Sequence, residues 1–342
     1  MLFGKDIGID LGTSAVRICI RDKGIVLREP SVIAVDRLSG RVLAVGTEAQ
    51  KMLGRTPVNL AAIRPVRDGV IADFEMAERL LRELLRKVSG FSLLKPRLLI
   101  SGPSSITEVE ERAVVEAALQ AGARRVFLLE EPVAAALGAG MSISEPKGKM
   151  VIDIGGGATD IAVLSLSGVV ESASIRLAGD RFNEALIRYV RRKHNILIGD
   201  RTAEELKLQM GCVFPRQEES RSREVKGRCL LTGLPKLFPI ETEEMLEAFD
   251  ESCEGILDAI RDVLERTPPE LVSDISETGI TLTGGGSQLW GMDRLIESRT
   301  RIPTQLADDG NECVINGLER ALNWLDDMQD GTIHLSRRKQ MS

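Results

Sequence analysis

The sequence predicts an α/β protein that builds one plan twice, and three observations carry that expectation. The stretch IGIDLGTSAV (7–16) returns as VIDIGGGATDIAV (151–163): an apolar run ending in an acid, a glycine turn, then a second apolar run. Each copy opens a set of short strands, and each set is followed by apolar residues at helical spacing. The length of 342 residues suits two domains, each with ample core.

The elements follow in order. Residues 6–11, 16–21 and 24–28 alternate apolar positions with turn signals and form a meander of strands. A further hairpin turns around Ser39 and Gly40, and EMAERLLRELLRKV (75–88) then changes the period to that of a helix with a basic outer face. Residues 97–101 are a strand. Thr107 with Glu110 three positions on forms a capping box for a helix that Gly122 stops. After a strand at 126–129, Glu131 and Pro132 open a helix through Gly138, with proline in its first turn. Strand, helix, strand, helix at these lengths means a parallel α/β layer. The meander restarts with 151–154, 161–166 and 169–174, followed by helices at 181–194 and 203–211. Residues 215–240 are polar and turn-rich, which predicts a small peripheral subdomain. A helix at 243–267, a strand at 279–283 and a helix at 288–297 complete the second half.

Composition narrows the function. Charged residues make up 28% and apolar residues 43%, and the net charge is −6 with no dominant Lys/Arg run, so nucleic acid is not expected as a ligand. Cys19, Cys212, Cys229, Cys253 and Cys313 never form a CxxC, which predicts reduced thiols rather than a disulfide or zinc framework. His194 and His334, the two histidines, read as surface residues. No apolar stretch reaches the ~20 residues of a membrane span, and MLFGKD reads directly into a strand rather than a signal peptide, so a cytoplasmic protein is expected.

The repeated hairpin has a chemical reading. Glycine at a strand–turn–strand lets backbone N–H groups approach an anion. Two such turns facing across a cleft can hold a phosphate chain from both sides. Asp10 and Asp153 end the two leading strands, and beside phosphates they make sense with Mg²⁺ between. A third glycine turn, Gly284, Gly285, Gly286 and Ser287, follows a strand and suits an adenosine and its first phosphate. Glu204 and Lys207 share one helix face, where they can frame ribose and base.

Taken together, these motifs resemble the actin-like ATPase superfamily, and GIVLREPSVIAVD, AAIRPVRDGVIADFEMAERLL, VFLLEEPVAAALGAG, MVIDIGGGATDIAVLSLSGVV and RTPPELVSDISETGITLTGGGS resemble its MreB/Mbl family, the bacterial actin-like rod shape-determining proteins. The likeness spans roughly residues 5–325. It implies duplicated ribonuclease-H-like domains with two small peripheral subdomains and a central nucleotide cleft. Lobe I would take 1–145 plus 315–342, with its small subdomain about 33–65. Lobe II would take 146–314, with its small subdomain about 182–245. The resemblance implies ATP and Mg²⁺ as cofactors, slow ATP hydrolysis coupled to filament assembly, and peripheral attachment to the inner face of the cell membrane. Implied partners are further copies of the chain, the cell-wall elongation machinery and membrane-anchored shape proteins.

Carried over by position, Asp10 and Asp153 are the metal acids. Gly12, Thr13, Ser14 and Ala15 are the first phosphate loop, and Gly155, Gly156, Gly157, Ala158 and Thr159 the second. Glu131 is the catalytic carboxylate that orients water. Glu204, Glu205, Leu206 and Lys207, with Gly284, Gly285, Gly286 and Ser287, form the nucleoside site. Phe91, Leu93 and Leu94 are the membrane loop, with Arg86, Lys87, Lys95 and Arg97 around it. The sequence departs from the family in three places. Ala15 stands for an asparagine and Ala158 for a threonine, which predicts weakened hydrolysis, and residues 315–319 replace a glycine-rich turn. An auxiliary paralogue with weak or no hydrolysis, a small-molecule kinase and a chaperone-type ATPase are the competing readings; a kinase needs a second substrate pocket, and a chaperone a client-binding segment after the ATPase unit.

Overall fold

The computed structural model describes residues 4–89, 94–215 and 221–326. The first half begins with β1 (Asp6–Leu11), β2 (Ala15–Ile20) and β3 (Gly24–Pro30). A small sheet follows from β4 (Ile33–Asp36), β5 (Val42–Val45) and, after α1 (Thr47–Gln50), β6 (Leu60–Ile63). The short hairpin β7 (Val66–Arg67) and β8 (Val70–Ile71) leads to α2 (Phe74–Ser89), β9 (Arg97–Gly102), α3 (Glu108–Gln120), β10 (Arg125–Glu130) and α4 (Glu131–Gly138). The second half runs β11 (Lys149–Ile154), β12 (Thr159–Ser165), β13 (Gly168–Ile175), α5 (Gly179–His194), β14 (Ile196–Leu197) and α6 (Asp200–Met210). It continues through β15 (Ser222–Cys229), β16 (Pro235–Glu241), α7 (Thr242–Arg266), α8 (Pro269–Thr278), β17 (Ile280–Thr283), α9 (Met292–Thr300), β18 (Thr304–Leu306) and α10 (Cys313–Ala321).

The duplication is explicit in the strand order. One five-stranded sheet reads β3-β2-β1-β9-β10 and the other β13-β12-β11-β17-β18. In both, the meander pairs antiparallel and the last two strands join parallel. Parallel strands need a crossover. In the first half α2 precedes β9 and α3 precedes β10; in the second, α5 to α8 precede β17 and α9 precedes β18.

Between the two sheets lies a shared core of Leu99, Phe127 and Leu129 from one side and Val151, Ala162 and Leu164 from the other, filled by Val133, Ala134, Ala135 and Ala136 of α4 and by Ile315 and Leu318 of α10. The two helices cross at glycine. A Cβ on Gly138 would sit 1.7 Å from the Cys313 carbonyl oxygen, and one on Gly317 would sit 1.8 Å from that of Ala134. Glycine here is what allows backbone to touch backbone.

Within the small peripheral subdomain expected at 215–240, β15 and β16 pair over seven positions, and β14 extends them to a three-stranded sheet. Val225, Phe238 and Ile240 turn inward to the core while their neighbours face out, so the apolar alternation was present but sparse. The helix expected at 288–297 is two pieces, a 3₁₀ turn at Gly286–Gln288 and α9, because Gly291 takes the left-handed conformation at φ 84°. His194 is not a free surface residue; its Nε2 lies 2.8 Å from Glu244 and its ring packs on Phe238. The capping box at Thr107 and Glu110 forms as expected. The five cysteines are free and buried. Among the described residues no helix is long and apolar enough to cross a membrane.

Candidate functional site

The glycine turns close by the same bond. Gly12 N–H donates to the Ala15 carbonyl at 3.1 Å, and Gly155 N–H donates to the Ala158 carbonyl at 2.9 Å. The turns meet across a cavity of about 430 Å³ lined by Asp10, Gly12, Thr13, Ser14, Ala15, Glu131, Asp153, Gly155, Gly156, Gly157, Ala158, Glu204, Lys207, Gly284, Gly285 and Gly286. They approach so closely that a Cβ on Gly156 would lie 2.0 Å from Ser14 Oγ, and one on Gly157 2.3 Å from Thr13 Oγ1 and 2.8 Å from the Asp68 nitrogen. Gly284, at φ 82°, passes the Ile154 carbonyl with no room for a side chain. Three stretches of bare backbone therefore converge on one cleft.

Four carboxylates stand around the two turns. Asp10, next to last in β1, faces Arg17 in the register of β2; Arg17 Nη1 donates to Asp10 Oδ2 at 2.9 Å. Asp153 is likewise next to last in β11 and accepts from Thr283 Oγ1 at 2.6 Å. Its cross-strand partner is Asp160, held by the backbone N–H and hydroxyl of Ser104. Glu131 is the first residue of α4, with Pro132 behind it. Burial pushes the Asp153 carboxyl up to about 7, against the Thr283 bond and with help from Asp160 and Asp10. Burial likewise raises Glu131 well above the ordinary carboxylate range, reinforced by Asp160, Asp10 and Asp153. Burial also raises Asp10, with Arg17 opposing it. A cation between Asp10 and Asp153 would relieve the burial and mutual repulsion that raise these carboxyls.

The nucleoside side is built from α6. Lys207, buried on the helix, donates to Glu204 at 2.7 Å and to the Gly179 carbonyl at 2.9 Å, and Asn183 donates to the same Glu204 oxygen at 2.6 Å. Burial works to raise Glu204, but Lys207 and Asn183 outweigh it and hold the carboxyl below its usual value. A charged pair fixed in place thus replaces the mobile pair that a solvated helix face would carry.

Some expected residues do not reach the cavity. Glu205 points to the surface and pairs with Arg201 at 2.9 Å, and Leu206 is packed in the core. These two lie between Glu204 and Lys207 on the turn of the helix, so they face other ways. Thr159 donates to the Leu177 carbonyl and Ser287 to the Gly284 carbonyl, both from buried positions that shape the loops rather than line the cleft. Arg97 is taken from the expected basic rim: its guanidinium grips Asp6 through two bonds of 2.7 Å and reaches Asp326 at 2.8 Å. Lys87 pairs with Glu29, and Arg86 with Glu83. Leu94 is 40% exposed; Phe91 and Leu93 lie outside the described residues.

Sequence reasoning missed Thr283 and Arg17. Thr283 meets Asp153 through a parallel pairing that leaves no local trace. Arg17 did leave one, a lone charge inside the apolar run AVRICI.

The repeated sheet, the shared helix pair and the glycine-walled cleft between them define an actin-like fold. Residues 4–330 match the family described as MreB/Mbl protein, and the chain belongs to that family. It is 50% identical over 317 residues to the cell shape-determining protein Mbl of Bacillus cereus, covering 92% of this chain and 95% of that protein. It is equally 50% identical over 331 residues to the cell shape-determining protein MreB of Escherichia coli, at 95% of each chain. A crystal structure of MreB 5 of Spiroplasma citri bound to AMPPNP superposes with a TM-score of 0.90 at 36% identity, covering 95% of this chain and 97% of that one. A MamK double helical filament, 22% identical over 95% of this chain and 99% of that one, shares the fold with a TM-score of 0.80.

Proposed function

We propose that the chain binds ATP with Mg²⁺ in this cleft, polymerises into filaments on the inner face of the cytoplasmic membrane, and helps determine cell shape by guiding cell-wall synthesis. The reading rests on one observation above the others: two glycine turns closed by equivalent hydrogen bonds, walling a cavity that also holds Asp10, Asp153 and Glu131. The relatives' names and the nucleotide in the Spiroplasma citri protein support it. In the same reading residues 1–145 with 315–342 act as one lobe and 146–314 as the other, with small subdomains at about 33–65 and 182–245.

The residues suit the group they would hold. Mg²⁺ takes one or two carboxylates, waters and phosphate oxygens rather than a full protein cage. Asp10 and Asp153 supply two hard oxygen donors, and among the described residues no cluster of three or more His, Cys, Asp or Glu competes as a closed site. When bound, the ion neutralises charge on the transferring phosphate. The backbone N–H groups of 13–15 and 156–158 bind the phosphate chain, Glu204 and Lys207 with Gly284, Gly285 and Gly286 bind the nucleoside, and Glu131 orients a water for attack. Burial and the neighbouring Asp160, Asp10 and Asp153 raise the Glu131 carboxyl, and positive charge held at Asp10 and Asp153 would oppose that rise and favour the carboxylate that orients water. Ala15 and Ala158 in place of the family's asparagine and threonine predict slow turnover.

Membrane attachment is read from Phe91, Leu93 and Leu94. Two or three buried apolar side chains contribute at most about 2 kcal/mol each, so monomers bind weakly and filaments firmly through avidity.

Sedimentation with and without ATP and flotation on anionic liposomes test the assembly. ATP-dependent pelleting and co-flotation are expected, with flotation lost in a folded Phe91→Ser/Leu93→Ser/Leu94→Ser variant. Equal Mg²⁺-ATP affinity in wild type and Asp10→Ala/Asp153→Ala, by calorimetry, would overturn the site.

A further inference from the structure

A guanidinium already stands where the cleft calls for a cation. Arg17 lines the cavity, and its Nη1 is 2.9 Å from Asp10 Oδ2. Its charge also opposes the burial that raises the Asp153 carboxyl, and adds to the Arg28 hydrogen bond that lowers Glu312. The corresponding place in the second hairpin, opposite Asp153, is taken by Asp160. The duplicated frame therefore carries opposite charges at equivalent positions. The bond to Asp10 uses one of the five donors a guanidinium carries, and the side chain lines the cavity and is 23% exposed.

We propose that Arg17 is a phosphate-binding residue of this chain, a resident cation that holds the nucleotide's phosphates when no divalent ion is present. The proposal rests on the nucleotide reading of the cleft and deepens it. A guanidinium is suited to both partners, since its planar fork matches carboxylate and phosphate oxygens alike. In the bare cleft it neutralises Asp10. A triphosphate entering between the glycine turns brings competing anionic oxygens to the same donors. The consequence is specific to this geometry: nucleotide binding depends less on Mg²⁺ than two lone carboxylates would allow, because Asp10 and Asp153 alone would repel a metal-free triphosphate.

The test is calorimetric titration of the full chain with ATP, once with Mg²⁺ and once with EDTA, for wild type, Arg17→Leu and Arg17→Lys. Wild type is expected to bind ATP in EDTA. Arg17→Leu should lose at least tenfold in EDTA while keeping Mg²⁺-ATP affinity within about threefold, and Arg17→Lys should fall between, since it keeps the charge without the fork. Retained Mg²⁺-ATP binding reports that the variants are folded. Should Arg17→Leu lose both modes, Arg17→Lys decides: a loss confined to EDTA supports the proposal, and an equal loss in both overturns it. Equal affinity of wild type and Arg17→Leu in EDTA, or no binding of wild type in EDTA beside normal Mg²⁺-ATP binding, also overturns it. Failure of every protein to bind Mg²⁺-ATP would instead refute the nucleotide reading itself.

Discussion

Gly317→Ala tests whether the α4–α10 crossing sets both stability and the position of Glu131. A Cβ at 317 would lie 1.8 Å from the Ala134 carbonyl oxygen and 2.6 Å from its carbon. Ordinary contact begins near 3.4 Å, so the helices must part by about 1.6 Å at that point. Two effects oppose. Alanine gains about 0.5–1 kcal/mol over glycine in the middle of a helix. Overpacking a filled core costs about 1–3 kcal/mol, and the upper end applies because the neighbour is backbone and cannot rotate away. A net loss of about 2 kcal/mol should lower the thermal midpoint by roughly 3 °C at the usual unfolding entropy per residue. Because Glu131 is the first residue of α4, nucleotide hydrolysis should fall as well. Gly255→Ala in α7 is the control: its Cβ meets only the movable Cδ1 of Leu177, at 2.4 Å, so it should be neutral or stabilising. A Gly317→Ala midpoint equal to or above wild type would refute the reasoning.

Two further outcomes follow from the charges. Asp153 is raised from an ordinary 3.8 to about 7 in the folded chain, so the folded state binds the extra proton and stability falls as pH rises between about 4 and 7; scanning fluorimetry without metal should give a lower midpoint at pH 8 than at pH 5, a slope that Asp153→Asn reduces, and a flat profile in wild type would count against the buried carboxylate cluster. Arg97→Ala leaves Asp6 buried with one partner in place of two, which should cost about 2 kcal/mol as the loss of a charged hydrogen-bond network, read as a lower urea midpoint with an unchanged slope.

The frame was legible because it is written in local signals. Strand periods, the Thr107–Glu110 box and the proline at 132 each act within a few residues, and the repeat of acid, glycine and apolar run exposed the duplication. Asp10, Asp153 and the glycine turns stand out because each sits where such a local signal ends, and Glu131 through the family resemblance; the structure brings them to one cavity. What sequence could not supply was long-range partnership. Thr283 reaches Asp153 across 130 positions, and Ser104 reaches Asp160 across 56. Arg97 counts among the basic residues around the expected membrane loop because nothing nearby in the chain announces Asp6 or Asp326. Runs of named positions also overreached: Glu205 and Leu206 were carried in with their neighbours although helix geometry turns them away.

The same symmetry sharpens the expectation for turnover. Ala15 and Ala158 occupy matching places, each offering its carbonyl to close its turn and each lining the cavity. In the family pattern these places carry an amide and a hydroxyl, so this chain keeps the backbone cradle and lacks two side-chain groups at the phosphates. On the proposed reading binding should survive, since it would draw on N–H groups and on a metal held by Asp10 and Asp153, whereas hydrolysis should lose what strengthens in the transition state. One hydrogen bond to a charged group is worth about 1.5–3 kcal/mol, and about 1.4 kcal/mol is tenfold in rate. The chain should hydrolyse ATP at least tenfold more slowly than a relative with both side chains. Ala15→Asn with Ala158→Thr should raise phosphate release from filaments by that factor, and adding Glu131→Ala should abolish the gain, because the restored groups act only on a water that Glu131 has oriented. Phosphate release no faster than wild type, with both proteins pelleting equally, would place the limiting step outside the two turns.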